Sequence, residues 1–378
     1  MALIPPFCPD RNCAHHQKPR ARDWYRPFGW YHTRAHGQVR RFACRACGKS
    51  FSEQTFRLSY YLHRNIDFRD ILFRHSSCSS VRAMARAFRV TDKVIANRIA
   101  RLARQAIGVM AGLRLGWHPQ EALAADGFES FIRSQYSPNN IHHLVGAESQ
   151  YVLACDLAHL RRKGRMTGSQ RRKREMLELS DVGTKGEIES SFERLCHVIE
   201  EIVEPGDLIV LHTDEKREYR TVLRANRYCD GRVEHKTTSS RKARTRKNPL
   251  WPVNYHDREI RKDQASHVRE TTRWAQEANH CMERIYAYAG YHNFFKPFRI
   301  KERDVRTHAE LAGCDQKAMG RLLKSFFTRR HFFTRLVLNA SEWLVWLRAY
   351  RTMFRPGIQY LPGFFTGEER RMPQTAAA

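Results

Sequence analysis

The sequence predicts an α/β domain, with a mixed sheet flanked by helices, that follows a small cysteine-rich β unit and an all-helical unit. One basis is the unbroken apolar run at 208–211, which is typical of a strand buried on both faces. The other basis is the set of strand and helix patterns around that run: strands at 123–132, 141–145, 151–157 and 233–237, and helices at 188–203 and about 257–295. We place the domain boundaries at 1–58, 59–112, 113–300 and 301–378, the last being a helical region with a disordered tail.

Two closely spaced pairs of cysteines lie near the N-terminus: Cys8 and Cys13, then Cys44 and Cys47. Two such pairs separated by a loop are typical of a tetrahedral structural zinc site. Gly48 follows the second pair and permits the tight turn that a zinc knuckle needs. The wider spacing of the first pair leaves His15 or His16 as alternatives to Cys13. Because so small a unit buries little surface, we expect one Zn²⁺ to stabilise this zinc ribbon.

Residues 66–106 predict three short helices, and Thr91 is a good N-cap for the last of them. The exposed face of that helix would carry four polar side chains that contact DNA: Lys93, Asn97, Arg98 and Arg101. Two helices joined by a short turn, the second with a basic face, are typical of a helix-turn-helix. Arg89 stands in the turn, where glycine is common. The alternative is an ordinary helical hairpin with a solvated charged face.

The net charge is +28, from 67 lysines and arginines against 39 acids. Such an excess predicts a polyanionic partner, and nucleic acid is the first candidate. No apolar run approaches the roughly 20 residues that span a bilayer, so we expect no membrane partner. Two basic runs are predicted to be loops that lie on DNA: Arg171, Arg172, Lys173 and Arg174, then Arg241, Lys242, Arg244, Arg246 and Lys247.

Two acidic residues are predicted to meet at one edge of the sheet. Asp126 lies in the first strand and Asp214 follows the apolar run at 208–211. If these strands are neighbours, the two carboxylates converge, although Asp214 could simply cap the next helix. Two close carboxylates repel and therefore share a proton or bind cations, and beside phosphates oxygen ligands suit Mg²⁺. Asp156 ends another strand, and we expect it to be structural.

The motifs, taken in order, resemble insertion-sequence transposases of the DDE class, which have a ribonuclease-H-like catalytic domain. The resemblance covers most of the chain. Besides the helix-turn-helix, the similar segments are R-R-F-A-C-R-A-C-G-K-S-F, A-D-G-F-E-S-F around Asp126, H-T-D-E around Asp214 and N-H-C-M-E-R around Glu283. It implies two Mg²⁺ per active site, cleavage at element ends, and joining of the 3′-OH to target DNA. It further implies a homodimer or higher oligomer on DNA in the prokaryotic cytoplasm.

The resemblance carries Asp126 and Asp214 over as magnesium ligands. The family's third position is Glu in most members and Asn in some, and we favour Glu283 for it. The alternative for Glu283 is a plain ion pair with a neighbouring arginine. Three more candidates for the third position lie on the same predicted helix: Asn279, which is four residues from Glu283 and so on the same face, Glu277 and Glu270.

Two functions of different classes therefore fit the sequence. One is a DNA transposase, and the other is a non-catalytic DNA-binding protein, such as a regulator or a decayed transposase. Carboxylates in a phosphate-facing cleft weaken DNA affinity unless a metal ion covers them, so the acids favour the enzyme. A ribonuclease-H-like hydrolase without strand transfer is a third possibility.

Overall fold

The computed structural model of the protein describes residues 4–19, 23–180, 186–226, 229, 231–299 and 305–354. The predicted disordered tail, which begins at about 366, lies outside these ranges. Within them, no helix is both long enough and apolar enough to cross a membrane.

Residues 4–19 and 23–58 form the N-terminal β unit, a three-stranded antiparallel sheet with one helical turn before it. Its elements are α1 (Ala14–Gln17), β1 (Tyr25–Thr33), β2 (Gly37–Cys44) and β3 (Ser50–Ser52), with strand order β1-β2-β3. Aromatic rings give this unit a small core of its own, in which Trp24 stacks on Phe51 and Phe56 meets Phe51 edge-on. The short β-strands predicted in this segment are confirmed.

Three helices follow: α2 (Phe68–His75), α3 (Val81–Ala87) and α4 (Asp92–Arg114). The Ser80 hydroxyl caps α3 by accepting from the backbone N–H of Ala83. Thr91 is at the N-cap position of α4 as expected, but its side chain makes no capping hydrogen bond. Arg89, in the turn between α3 and α4, has φ +52°, the left-handed conformation that glycine usually supplies. The prediction of three short helices is wrong for α4, which continues for 23 residues because it contains no proline and its buried residues continue to Leu113.

The main sheet has five strands in the order β6-β5-β4-β7-β8. They are β4 (Leu123–Phe131), β5 (Pro138–Gly146), β6 (Val152–His159), β7 (Ile209–Asp214) and β8 (Val233–Thr238). β4, β5 and β6 pair antiparallel, whereas β4, β7 and β8 pair parallel, so the predicted mixed sheet is confirmed. The expectation that the run at 208–211 is buried on both faces is wrong. β7 alternates buried and half-buried residues because α6, α8 and α9 pack chiefly on β4, β5 and β6.

Helices flank this sheet: α6 (Glu187–Ile202), α7 (Arg217–Ala225), α8 (Trp251–Asp263) and α9 (Ala278–Phe294). A further helix, α5 (Gly168–Ser180), follows β6 in the chain. The predicted single helix at about 257–295 is instead α8 and α9, because Glu270 between them has φ +56°, which a right-handed helix does not allow. Beyond residue 305, the predicted helical region has only short helices: α10 (His308–Leu311), α11 (Gln316–Lys324) and α12 (Ala340–Leu347).

One large hydrophobic core joins α2, α3 and α4 to the sheet and to the helices that flank it. α4 and α9 pack closely in this core, since a Cβ on Gly290 would stand 2.5 Å from the Cβ of Ala106. The N-terminal β unit is fastened to the later chain instead, since the backbone N–H of Leu58 donates to Thr328 and that of Arg330 donates to Phe56. The boundary predicted at 112/113 therefore falls near the end of α4, inside a packed region.

Candidate metal centre and acidic site

The four predicted cysteine ligands come together in the N-terminal β unit. The Sγ atoms of Cys8, Cys13, Cys44 and Cys47 all lie within 4.8 Å of one another. The Sγ of Cys8 is 3.6 Å from that of Cys47, and the Sγ of Cys13 is 3.7 Å from that of Cys44. Tetrahedral Zn²⁺ with Zn–S bonds of about 2.3 Å requires sulfurs about 3.8 Å apart. The cysteines are therefore placed to bind a metal ion, and their spacing is consistent with a structural zinc.

The alternative histidine ligands are not part of this cluster. His16 Nδ1 lies 2.7 Å from the carbonyl oxygen of Cys8, and its Nε2 lies 2.7 Å from Thr334 Oγ1. Both of its ring nitrogens are thus engaged elsewhere, and His15 is not among the clustered residues. Gly48 adopts φ +72° and its N–H donates to the carbonyl of Cys44, which is the tight turn expected after the second pair.

Asp126 and Asp214 lie side by side because β4 and β7 are parallel neighbours. Leu123 is paired with Leu211 and Ala124 with His212, and the same register continued by two residues sets Asp126 beside Asp214. Burial raises the pKa of Asp126 to about 6, and the negative charge of Asp214 adds to the rise, while the N–H of Gly127 opposes it. The sequence prediction that these strands are neighbours is confirmed.

A third carboxylate, Asp257 on α8, faces the same place. α8 packs on β4 and β5, and Arg261, one turn beyond Asp257, lies 4.5 Å from the ring of Phe128. Phe128 and Asp126 project from the same face of β4, since they are two residues apart. Burial raises the pKa of Asp257 to about 8, with the charge of Asp126 as the next cause.

The Asp257 carboxylate has little compensation from the protein. Its Oδ1 is buried without a hydrogen-bond partner among the described residues, and the nearest cation candidate, His143 Nε2, is 3.9 Å away. Burial lowers the pKa of His143 to about 3, so that imidazole is neutral. His143 is also the cross-strand partner of Asp126 and is therefore a neighbour of both carboxylates. A cation would supply the missing compensation, and oxygen ligands of this kind suit Mg²⁺.

The structure places the sequence-favoured third residue elsewhere. Glu283 is only 3% exposed, and its Oε1 lies 3.2 Å from the Nε of Arg348. Burial raises the pKa of Glu283 to about 7, and the charges of Arg348 and Arg104 oppose that rise. Its helix, α9, packs on β6, two strands from β4 and so about 10 Å away. The ion pair weighed as the alternative role for Glu283 is the one present.

The three other candidates are also engaged or distant. Asn279 exchanges two hydrogen bonds with the backbone of Tyr350, each 3.0 Å long. Glu277 lies 3.8 Å from Arg348, and Glu270 is exposed in the segment between α8 and α9. Sequence reasoning missed Asp257 because it placed the start of the helix there. The available signal was Pro252, which is typical of a helix start and puts Asp257 one turn from Val253 and Ile260, both buried.

The second basic run lies beside the acidic site. Residues 241–247 are all exposed and form no helix or strand, as predicted. The charge of Arg244 acts on both Asp126 and Asp257, in each case lowering the carboxyl pKa. The side-chain amide of Asn248 holds this loop by donating to the carbonyl of Ala243 at 3.0 Å. A cationic loop and a cluster of acids thus share one surface.

The other predicted DNA contacts divide into exposed and buried residues. Lys93 and Asn97 are exposed at the start of α4. Arg98 is only 2% exposed, and its guanidinium donates to the carbonyls of Val94 and Arg64. Arg101 donates to the carbonyl of Leu58 at 2.6 Å. The expectation that Arg98 lies on the exposed face is wrong, because a long side chain can turn back to backbone carbonyls that helical periodicity does not reveal.

The first basic run is not a loop. Arg171, Arg172, Lys173 and Arg174 lie in α5, where the first three are exposed and Arg174 is half-buried, with its Nε 3.6 Å from Glu178. Lys173 and Arg162 both lie over the ring of Tyr136, at 5.1 and 4.6 Å. The charge is therefore presented on a helix that follows β6.

Comparison with models of known protein families gives no match to this chain. Comparison with curated proteins likewise gives no match.

Proposed function

We propose that this chain is a DNA transposase of the DDE class, with Asp126, Asp214 and Asp257 as its three carboxylates. The observation that carries the proposal is the meeting of these acids beside the cationic loop at 241–247 in a protein of net charge +28. A protein that only bound DNA would gain affinity by losing them. In this proposal the five-stranded sheet is ribonuclease-H-like.

The three carboxylates are proposed to hold two Mg²⁺. The fit rests on the buried, unpartnered Oδ1 of Asp257 and on the raised pKa of Asp126, since both are groups that a divalent cation would compensate. Bound Mg²⁺ supplies charge neutralisation and orientation of the reacting oxygens in phosphodiester cleavage. Arg244 would hold a phosphate next to the scissile one. Neutral His143 would stay beside Asp126 and Asp257 without adding positive charge.

The ends of the transposon are proposed to be bound by the N-terminal β unit and by α2 to α4. Here α3 and α4 act as a helix-turn-helix, Lys93 and Asn97 contact DNA, and the β unit is a zinc ribbon. The exposed residues of the runs at 171–174 and 241–247 hold flanking or target DNA, and two chains act together because two ends must be joined.

Cleavage and strand-transfer assays on duplex DNA that carries the element's own terminal sequences would test this proposal, with Mg²⁺ or Mn²⁺ as the metal. Each of three substitutions should lower cleavage by more than about 100-fold: Asp126→Asn, Asp214→Asn and Asp257→Asn. Loss of a residue that only hydrogen-bonds to a metal ligand already costs about 10–100-fold, and loss of a ligand itself should cost more. Binding in a gel-shift assay should persist. Glu283→Gln is the matched control, being a buried acid in an ion pair, and should retain cleavage per folded molecule.

The remaining outcomes separate the alternatives. Loss of cleavage in Glu283→Gln but not in Asp257→Asn would return the third position to Glu283. Tight binding without cutting in either metal would replace the enzyme with the DNA-binding protein. Cutting without joining would leave a hydrolase.

A further inference from the structure

A wide groove separates the N-terminal β unit from the segment at 60–65 that leads into α2. Its volume is about 970 Å³. The lining has no acidic residue among the described residues, and its basic side chains are Arg34, Arg41, Arg64, His36 and His63. The groove is therefore electropositive and open to solvent, and the acidic site of the main sheet contributes no lining residue.

Exposed tyrosines line the same groove. Tyr61 is 78% exposed and Tyr31 is 38% exposed. The rings of Tyr60 and Tyr61 are 4.3 Å apart, and the guanidinium of Arg330 lies 4.1 Å from the ring of Tyr60. Tyr61 has φ +57°, a left-handed conformation that costs a bulky residue free energy. The Tyr61 ring is thus exposed to water on a strained backbone. Burial of the ring does not offset the free-energy cost of that strain.

Arginines from elsewhere in the chain fix the wall that carries these rings. Arg98 donates to the carbonyl of Arg64 at 2.7 Å, Arg101 to that of Leu58 at 2.6 Å, and Arg330 to that of Thr55 at 2.7 Å. Each of these carbonyls belongs to the groove segment or to the turn before it. The wall is therefore organised before any ligand arrives, which lowers the entropy cost of binding.

We propose that this groove binds single-stranded DNA, with unpaired bases stacked on Tyr61 and Tyr31 and phosphates held by Arg34, Arg41 and Arg64. Aromatic faces combined with a positively charged groove are the two features that recognise single strands without sequence preference. A base within a duplex has both faces covered by its neighbours, so these rings can stack only on bases that have left the helix. The inference rests on the proposed function only in taking DNA as the partner, and it does not depend on the acids.

Fluorescence of a single-stranded oligonucleotide that contains 2-aminopurine, titrated with the full zinc-loaded chain without Mg²⁺, would test the groove. Stacking quenches this base, so wild type should quench it and bind the strand. Tyr61→Ala should weaken binding by about ten-fold or more, which is within the range for loss of one stacked base. Tyr61→Phe keeps the ring and should stay within about two-fold of wild type.

Trp30→Ala is the matched control. Trp30 is 60% exposed on the same strand as Tyr31, but it projects from the opposite face and does not line the groove. It should bind like wild type, and all variants should melt at similar temperatures. Equal weakening by Trp30→Ala and Tyr61→Ala, or an unchanged Tyr61→Ala, would overturn the inference.

The two proposals fail in different ways. If wild type cuts transposon ends but Tyr61→Ala binds single-stranded DNA as well as wild type does, the transposase proposal stands and the groove proposal fails. If quenching depends on Tyr61 but the chain never cuts, the groove proposal stands and the transposase proposal fails.

Discussion

At the residue scale, the buried carboxylates of this protein differ in the groups that face them. Asp156, with no exposed side chain, accepts two hydrogen bonds from Arg194, at 2.8 and 2.9 Å. Glu342 is paired in the same bidentate way with Arg114. Asp126 and Asp257 have no such partner in the described part of the chain. The fold compensates the charges of Asp156 and Glu342, whereas Asp126 and Asp257 are the candidates for a metal.

Asp257→Asn should raise the stability of the metal-free protein. The substitution removes a buried charge that Arg261 and Arg244 offset only in part, and we expect a gain of about 1 kcal/mol or more in the free energy of unfolding at pH 8. Melting temperature by calorimetry would show it. Mg²⁺ should raise the melting temperature of wild type, because it binds only the folded acids, and should have little effect on the variant. A variant that melts below wild type without metal would show that Asp257 is compensated by the fold.

Two of the three proposed carboxylates could be predicted from the sequence and the third could not. Asp126 and Asp214 lie on strands, and pairing of neighbouring strands brings them together whatever the helices do. A helical acid is different, because its place depends on which strand the helix covers. Glu283 and Asp257 look alike in the sequence, yet α9 covers β6 and α8 covers β4 and β5.

At the scale of the secondary-structure element, the surroundings of α4 change along its length. Its first turns are exposed at Lys93 and Asn97, and its last turns are buried against α9 at Ala106. The hydrophobic periodicity predicted the helix and its start, but not its length or the inward turn of Arg98. That turn depends on the carbonyl of Arg64, which belongs to another segment.

Lys93→Ala and Arg98→Ala should separate contact with DNA from support of the fold. Loss of one phosphate contact at Lys93 should reduce the slope of log K against log[salt] by about 0.9. Arg98→Ala should leave the duplex-binding slope unchanged but cost about 1–3 kcal/mol of stability, because two carbonyls lose a charged donor. Binding isotherms at several salt concentrations and urea unfolding would measure both. A smaller slope in Arg98→Ala would mean that Arg98 leaves its carbonyls to meet a phosphate.

At the scale of the whole molecule, the described chain has one large core and one small one. The large core joins the predicted second and third domains, and the small one belongs to the N-terminal β unit. The sequence indicated the elements on either side of residue 112 but not their shared packing, because close approach of Gly290 to Ala106 is a contact between residues far apart in the chain.

Removal of the metal should therefore unfold the N-terminal β unit and leave the rest folded. A four-sulfur site supplies folding free energy to a unit with so few buried side chains. Hydrogen exchange after chelation, or in Cys44→Ser, should show loss of protection in residues 4–58 and retention in β4 to β6. Zinc analysis of the untreated protein should give one ion per chain. Retained protection of β2 without metal would show that its aromatic core is sufficient.

Acid should destabilise the protein as the pH falls below about 6.5, because several buried histidines must then take up protons. Burial lowers the pKa of His143 and His267 to about 3, and that of His75, His308 and His331 to about 4. These folded pKa values lie below the unfolded value of about 6.5. The stability that the neutral histidines contribute is therefore fully present above pH 6.5 and is lost as the pH drops toward 4. Each such histidine contributes up to about 1.4 kcal/mol per pH unit. Urea midpoints at pH 7, 6 and 5 should decline, and a constant midpoint would contradict the neutral burial of these rings.

The contact between Thr55 and Arg330, 275 positions apart, sets an order in time. A ribosome adds about 5–20 residues per second, so roughly 15–55 s pass between the emergence of these two residues. During that interval the carbonyl of Thr55 lacks its donor and the ring of Tyr60 lacks the guanidinium beside it. In a growing chain the rings of Tyr60 and Tyr61 are therefore made before Arg330, which later contacts this segment. We expect full affinity for single-stranded DNA only after synthesis has passed residue 330.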